Sequence, residues 1–98
     1  PSTPIIINAA NEVLVDQFLR KNIQFLSISL VLKKILKDSN YKNNAVKHPN
    51  TIKIINEINN WAKKRTLEKL KQFNLYVEKF FYNTSVLFLL FNAKSGNC

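Results

Sequence analysis

Glu12 and Asp16 are the first residues in this chain whose spacing could do chemistry. At i and i+4 on a helix, two carboxylates can share a cation, but a stable site needs further oxygen or nitrogen ligands. No histidine and no third carboxylate stands near them, so we read the pair as a solvated acidic edge. Asn11 and Glu12 form a polar pair that we expect to bond neighbouring backbone or a domain interface rather than to aim at a substrate. His48 is the only histidine and falls in a polar stretch before Pro49, where a surface position is expected and no metal cluster can be assembled. Ser2, Ser27, Ser29 and Ser85 have no base partner in a recognisable motif, which leaves nucleophilic catalysis unsupported. Gly96 is the only glycine, so no glycine-rich loop is present to cradle a phosphate. Cys98 is the only cysteine, which excludes an intramolecular disulfide and a cysteine-based metal site and fits a reducing compartment. We therefore assign no catalytic, cofactor-binding or metal residue in this chain.

Two further features invite a binding role. Trp61 could stack on a ring or base, but its spacing from Ile58 places it on an apolar helix stripe, and core packing is the better account. Lys63, Lys64 and Arg65 form a basic cluster that reads as a solvated helix face, with an acidic partner as the lesser reading.

The elements that must position these residues follow from length and pattern. Ninety-eight residues make one domain at most, with a single modest core. An apolar content of 46% is globular rather than disordered, and one Gly with three Pro favours long helices joined by polar loops. The net charge of +9 comes from 13 Lys and 2 Arg, alongside 14 Asn and 10 Ile. Phosphate clamps and base readers favour the planar fork of Arg. Lys, Asn and Ile share A/T-rich codons, so we read the charge as compositional drift before a selected polyanion surface. Residues 1–7 lack the basic start of a signal peptide. The longest apolar run, residues 86–91, is six residues against the ~20 that span a bilayer. No membrane span is expected.

Thr3 is expected to cap a first helix with Pro4 in its opening turn, and Ile6, Ala10, Val13, Leu14 and Phe18 mark its apolar stripe. Arg20, Lys21 and Asn22 end it; a start at Asn8, with residues 5–7 extended, is the alternative. Residues 23–26 form a short apolar connector, after which Ser27 is expected to cap a second helix. There Ile28, Val31, Leu32, Ile35 and Leu36 oppose Lys33, Lys34 and Lys37. Residues 38–50 read as a solvated loop. Asn50 or Thr51 caps a third helix whose core stripe is Ile55, Ile58, Trp61 and Ala62, extended by Leu67 and Leu70. A fourth helix over about residues 75–91 is plausible by its apolar content, though Asn83, Thr84 and Ser85 are weak helix material and residues 86–91 could equally form a strand. The fold class expected is all-α, a small bundle of three to four helices.

Several of these pieces stand together in a known family. Asn8-Ala9-Ala10-Asn11-Glu12-Val13, then Phe18-Leu19, then Ile23 with Phe25-Leu26 and Ile28, and later Trp61-Ala62-Lys63, resemble the small helical C-terminal domain of the 1-deoxy-D-xylulose 5-phosphate reductoisomerase family. The last piece looks like the family's Trp-Ala-Arg element. The resemblance runs from about residue 3 to residue 70. It implies an enzyme that makes 2-C-methyl-D-erythritol 4-phosphate for non-mevalonate isoprenoid synthesis, using NADPH and a divalent cation, Mg or Mn. It also implies a homodimer in the bacterial cytoplasm or plastid stroma. The family's catalytic and NADPH-binding residues lie in preceding domains of the same polypeptide, so none is carried over to this chain. Ser27 stands where the family commonly has Asp. Residues 73–98 resemble nothing at the family's C-terminus, and we read them as a divergent apolar and aromatic tail, from a shifted frame or read-through before a lineage extension.

The expectation is thus a C-terminal structural domain over residues 1–72 with a tail over 73–98, inactive by itself and binding no cofactor, nucleic acid or membrane. A different class of function remains as the alternative: a stand-alone basic helical module for nucleic acid or an acidic protein, using the face from Lys53 to Lys71. A third, weaker reading is an interfacial helix over residues 73–91.

Overall fold

Pro4 costs nothing in a first helical turn, where its missing N–H would have no partner. The first helix, α1 (Thr3–Leu19), accordingly starts just before it in the computed structural model, which describes residues 1–77. The Asn8 start is thereby excluded. Ile6, Ala9, Ala10 and Leu14 are buried on one face. Thr3 is not the cap. The capping position falls to Ser2, whose hydroxyl makes no bond to the helix and instead donates to the Lys47 carbonyl. The Ser2 amide donates to the Ala45 carbonyl at 2.9 Å, and the Thr3 hydroxyl pairs with that of Tyr41 at 2.7 Å. These polar groups serve a long-range contact in place of a local cap.

The second helix, α2 (Phe25–Leu36), begins two residues before the expected Ser27 cap. Gln24 holds the extended capping conformation, and Ser27 lies inside the first turn, buried. The reason is aromatic: Phe25 packs edge-on against Phe18 with ring centroids 5.5 Å apart, so the chain turns into helix as soon as that contact closes. Val31 and Ile35 are fully buried and Ile28 and Leu32 partly so, whereas Leu36 is exposed.

Residues 38–50 are not a plain solvated loop. They contain a short helix, α3 (Tyr41–Ala45), with Asn44 and Ala45 buried. Asp38 starts it: its side chain accepts from the Asn40 amide at 2.9 Å and its carbonyl from the Tyr41 amide at 3.0 Å. Asn44 then bonds the Asn40 carbonyl at 2.9 Å. Five residues are too few to display a hydrophobic period, so the pattern concealed this helix.

The longest helix, α4 (Ile52–Gln72), is capped as expected by Thr51, whose hydroxyl accepts from the Ile54 amide at 3.1 Å. Its buried stripe steps by four through Ile58, Ala62, Thr66 and Leu70. Thr66 is tolerated there because its hydroxyl donates to the Ala62 carbonyl at 2.7 Å. The expected stripe is corrected at two positions: Ile55 and Leu67 are 37% and 41% exposed. Ile54 packs on the core instead, and Trp61 lies at the core's edge, partly buried, with the Arg65 guanidinium 5.7 Å above its ring.

α1 and α4 run side by side in the same direction, with Glu12 facing Lys63 and, beyond both helices, Ile23 bridging Tyr76. α2 returns against them, placing Lys34 over the Phe73 ring at 3.7 Å. The described residues thus form an all-α bundle of four helices, with one isolated bridge and no named strand among them. Leu75, Tyr76 and Val77 are not helical, so no helix starts at Leu75; the remainder of that expectation, residues 78–91, lies outside the described residues.

Both long helices end in the same device. After α1, the Asn22 amide donates to the Gln17 carbonyl and the Lys21 amide to that of Phe18, each at 2.8 Å. After α4, the Leu75 amide bonds Leu70 at 2.9 Å and the Asn74 amide bonds Lys71 at 3.1 Å. This double pattern needs a left-handed residue in the middle, and Lys21 (φ 62°) and Asn74 (φ 54°) supply it. Asn tolerates that region; a lysine is strained by its Cβ. Lys21→Gly should therefore raise stability by about 1 kcal/mol in urea unfolding, with Lys21→Ala close to unchanged. A lower midpoint for the glycine variant would refute the strain. Trp61→Ala should destabilise by about 2 kcal/mol, less than the 3–5 typical of a fully buried ring; unchanged melting would remove Trp61 from the core's edge.

Candidate functional site

The residues nominated from sequence do not converge. Glu12 is exposed and pairs with Lys63 at 3.3 Å, while Asp16 pairs with Arg20 at 3.1 Å. The two carboxylates thus each face a cation. His48 is exposed between α3 and α4, and Asn11 is exposed on α1. Ser2 anchors the chain start, Ser27 is buried in α2, and the Ser29 hydroxyl bonds the Leu26 carbonyl at 3.3 Å. The basic cluster divides: Lys63 goes to Glu12, Arg65 turns to Asp38 and Glu68, and Lys64 stays exposed. Ser85, Gly96 and Cys98 lie outside the described residues. Among the described residues no group of three or more His, Cys, Asp or Glu could hold a metal ion, so the donor set does not fit a divalent cation. No described helix is long and apolar enough to cross a membrane.

Sequence reasoning passed over the most electrostatically organised site. Asp38, at the corner between α2 and α3, has a side chain only 2% exposed. Its Oδ2 lies 2.8 Å from Lys69 Nζ and 3.3 Å from Arg65 Nη1, one turn apart on α4. Its Oδ1 takes the Asn40 amide. A buried carboxylate is tolerable only when paired and hydrogen-bonded, and here both conditions hold. Burial pushes the Asp38 carboxyl up, but the hydrogen bonds from Lys69 and the Asn40 amide, with the charges of Arg65 and Lys69, outweigh it and hold the group below its ordinary value. The site fixes the α2–α3 corner to α4 and offers no open position to a substrate. Its only sequence signal was a lone acid among lysines opposite an Arg and Lys four residues apart on a distant helix.

A second feature lies at the end of the bundle where α1 and α4 both exit. The Val77 amide donates to the Asn22 carbonyl at 2.6 Å, beside the bridge of Ile23 with Tyr76. Phe18, Leu19, Lys21, Ile23 and Val77 line a pocket of about 430 Å³ there. Among the described residues its lining is apolar apart from Lys21 and includes no acid or nucleophile placed for catalysis.

Asp38 gives the fold a defined acid sensitivity. A carboxyl held below its unfolded value of about 3.9 contributes stability that is complete above that pH and is lost as pH falls through the lower, folded value. The urea midpoint should stay level from neutral pH to about pH 5 and decline below about pH 4. Asp38→Asn should cost on the order of 3 kcal/mol at neutral pH, because Lys69 and Arg65 lose their counter-charge, and should flatten the acid decline. An equally steep decline in the variant would move the sensitivity to another carboxylate.

Known proteins supply what the geometry does not. The family model described as the DXP reductoisomerase C-terminal domain matches residues 1–65. The 1-deoxy-D-xylulose 5-phosphate reductoisomerase of Prochlorococcus marinus (strain MIT 9515) is 36% identical over 74 residues, covering 76% of this chain and 17% of that protein. The enzyme of the same name from Prochlorococcus marinus subsp. pastoris (strain CCMP1986 / NIES-2087 / MED4) is 35% identical over 74 residues, covering 76% of this chain and 18% of its own length. The chain therefore spans less than a fifth of the curated relatives it matches. No solved structure matches significantly. The matched region takes in α1, α2, α3 and most of α4, and by it the chain belongs to the family of DXP reductoisomerase C-terminal domains.

Proposed function

We propose that this chain is the structural C-terminal domain of a 1-deoxy-D-xylulose 5-phosphate reductoisomerase and does no chemistry by itself. The observation that carries the reading is the family match over residues 1–65. Residues 1–72 make up the family domain and residues 73–98 a divergent tail, whose first residues, 73–77, pack back on the bundle. The whole enzyme forms 2-C-methyl-D-erythritol 4-phosphate with NADPH and a divalent cation, Mg or Mn, for isoprenoid synthesis in the bacterial cytoplasm or plastid stroma. Those ligands belong to the preceding catalytic and NADPH-binding domains of the same polypeptide, which assembles as a homodimer. The domain's task is to hold a rigid surface against those parts, without nucleic acid or membrane. Its support lies in a bundle whose best-organised charged site among the described residues is a buried clamp between helices rather than an open pocket.

The alternative, a stand-alone basic module, draws on the net charge of +9. Its basic face on α4 is weakened as a polyanion surface because Lys63, Arg65 and Lys69 are each engaged by a carboxylate.

The purified chain given NADPH, Mn²⁺ and 1-deoxy-D-xylulose 5-phosphate should show no NADPH oxidation; measurable turnover would overturn the structural reading. Titration with a duplex oligonucleotide at two salt concentrations separates the alternative. Affinity that falls steeply with salt would favour the basic module, and no binding at low salt would remove it.

A further inference from the structure

The end of the bundle where α1 gives way to α2 holds large apolar side chains in the open. Leu19, Phe25 and Leu26 are 71%, 66% and 75% exposed, and Leu30 follows Leu26 by one turn, also exposed. Phe25 touches Phe18, and Phe18 and Leu19 line the pocket, so patch and pocket are continuous. Contiguous exposed apolar surface of this kind marks an interaction site.

The charge around it selects the occupant. Lys21 lines the pocket, and Lys33 stands one turn beyond Leu30 on α2. Neither has a carboxylate partner among the described residues. Asp16, ahead of Lys21, is held by Arg20, and Asp38, beyond Lys33, by Lys69 and Arg65. Among the described residues the unmatched charge at the rim is therefore positive. A second copy would bring an identical basic rim and another +9 chain against it, which is opposed by repulsion. The concave pocket of about 430 Å³ beside the patch is wide enough to admit a large apolar side chain projecting from a helix, the mode by which an amphipathic helix seats in a groove, whereas a flat lipid surface has no such projection.

We propose that this face docks an amphipathic protein helix, its apolar stripe covering Leu19, Phe25 and Leu26 with one large side chain in the pocket, and its flanking carboxylates meeting Lys21 and Lys33. The inference rests on surface and charge and is independent of the reductoisomerase reading, so turnover by the chain would leave it standing.

Two labelled amphipathic peptides with one shared Leu/Phe stripe, the first flanked by Glu and the second by Lys, test it by fluorescence anisotropy against the whole chain. The Glu peptide should bind at least about tenfold tighter than the Lys peptide. Leu26→Glu and, separately, Leu19→Glu should each weaken it by at least about tenfold. Both positions are largely exposed, and circular dichroism melting checks that the variants fold. Lys21→Glu should narrow the preference, while Val46→Glu, at the opposite end of the bundle, should leave binding unchanged. No binding, equal binding of both peptides, or binding indifferent to Leu26 and Leu19 would overturn the proposal. Vesicles of phosphatidylserine and phosphatidylcholine complete the test: capture by vesicles with no peptide binding would assign the face to a lipid surface instead.

Discussion

The parallel contact of α1 with α4 decides where everything else can lie. Each helix brings a narrow buried stripe with small side chains in it: Ala9 and Ala10 between Ile6 and Leu14, and Ala62 between Ile58 and Thr66. Small residues let two axes approach while the flanking Ile and Leu interlock, each contributing on the order of 2 kcal/mol before the entropy of ordering is deducted. Two parallel neighbours cannot be joined by a tight turn. The intervening chain must travel back, and α2, α3 and the capped entry into α4 are that return path. Its weak points are the corners, and those are where the polar groups gather: Ser2 and Thr3 at one end, Asp38 with Arg65 and Lys69 midway.

A core this small gives little margin, so the manner in which the helices end matters. Both long helices close with the same left-handed turn, and the two exits then meet in the bridge of Ile23 with Tyr76. In the α4 turn, Leu75 packs on the core as the apolar closure that such an ending favours. In the α1 turn the corresponding contact is polar, with Asn22 donating to the Gln17 side chain at 2.8 Å. The first arrangement buries apolar surface within the turn itself, whereas the second leaves that burial to Ile23, one residue further on. The apolar pocket opens between the two exits.

Legibility in the sequence followed the range of the interaction. The start of α1 beside Pro4, though not its cap, the Thr51 cap and the face of α2 except Leu36 are local consequences of residue type and period, and these were readable. Ser27 failed as a cap because a tertiary contact, Phe18 with Phe25, started the helix earlier. Ile55 and Leu67 failed as core because a face only one residue wide at each turn is set by the neighbour's position rather than by apolar count. α3 was hidden because its stabilising bonds come from Asp38 and Asn40, residues that also make loops. The buried charge of Asp38 was hidden for a stronger reason: nothing in its local sequence separates an acid that meets two distant cations from one that meets water. The family, by contrast, was readable from short pieces in register, since Asn8-Ala9-Ala10-Asn11-Glu12 and Trp61-Ala62-Lys63 fall on the two helices that make the central contact.

The way this chain uses its cations bears on what its charge means. It has only two arginines among fifteen basic residues. Arg65 meets three groups at once: Asp38 through Nη1, Glu68 through Nε, and the Trp61 ring beneath its plane. A planar fork can present separate donors to separate carboxylates and a face to an aromatic ring; an ammonium is a single point charge and cannot. Lys69 has one demand to meet, the Asp38 oxygen at 2.8 Å, and a point charge suffices there. Arg65 thus falls where geometry requires a fork, against the fold, while Arg20 lies exposed at the end of α1 and is held by Asp16. A surface shaped to grip phosphate would place its forks outward and leave them without carboxylate partners. Turning Arg65 inward makes that part of the charge of α4 architecture, and among the described residues it leaves Lys21 and Lys33 without a carboxylate partner beside the apolar end of the bundle.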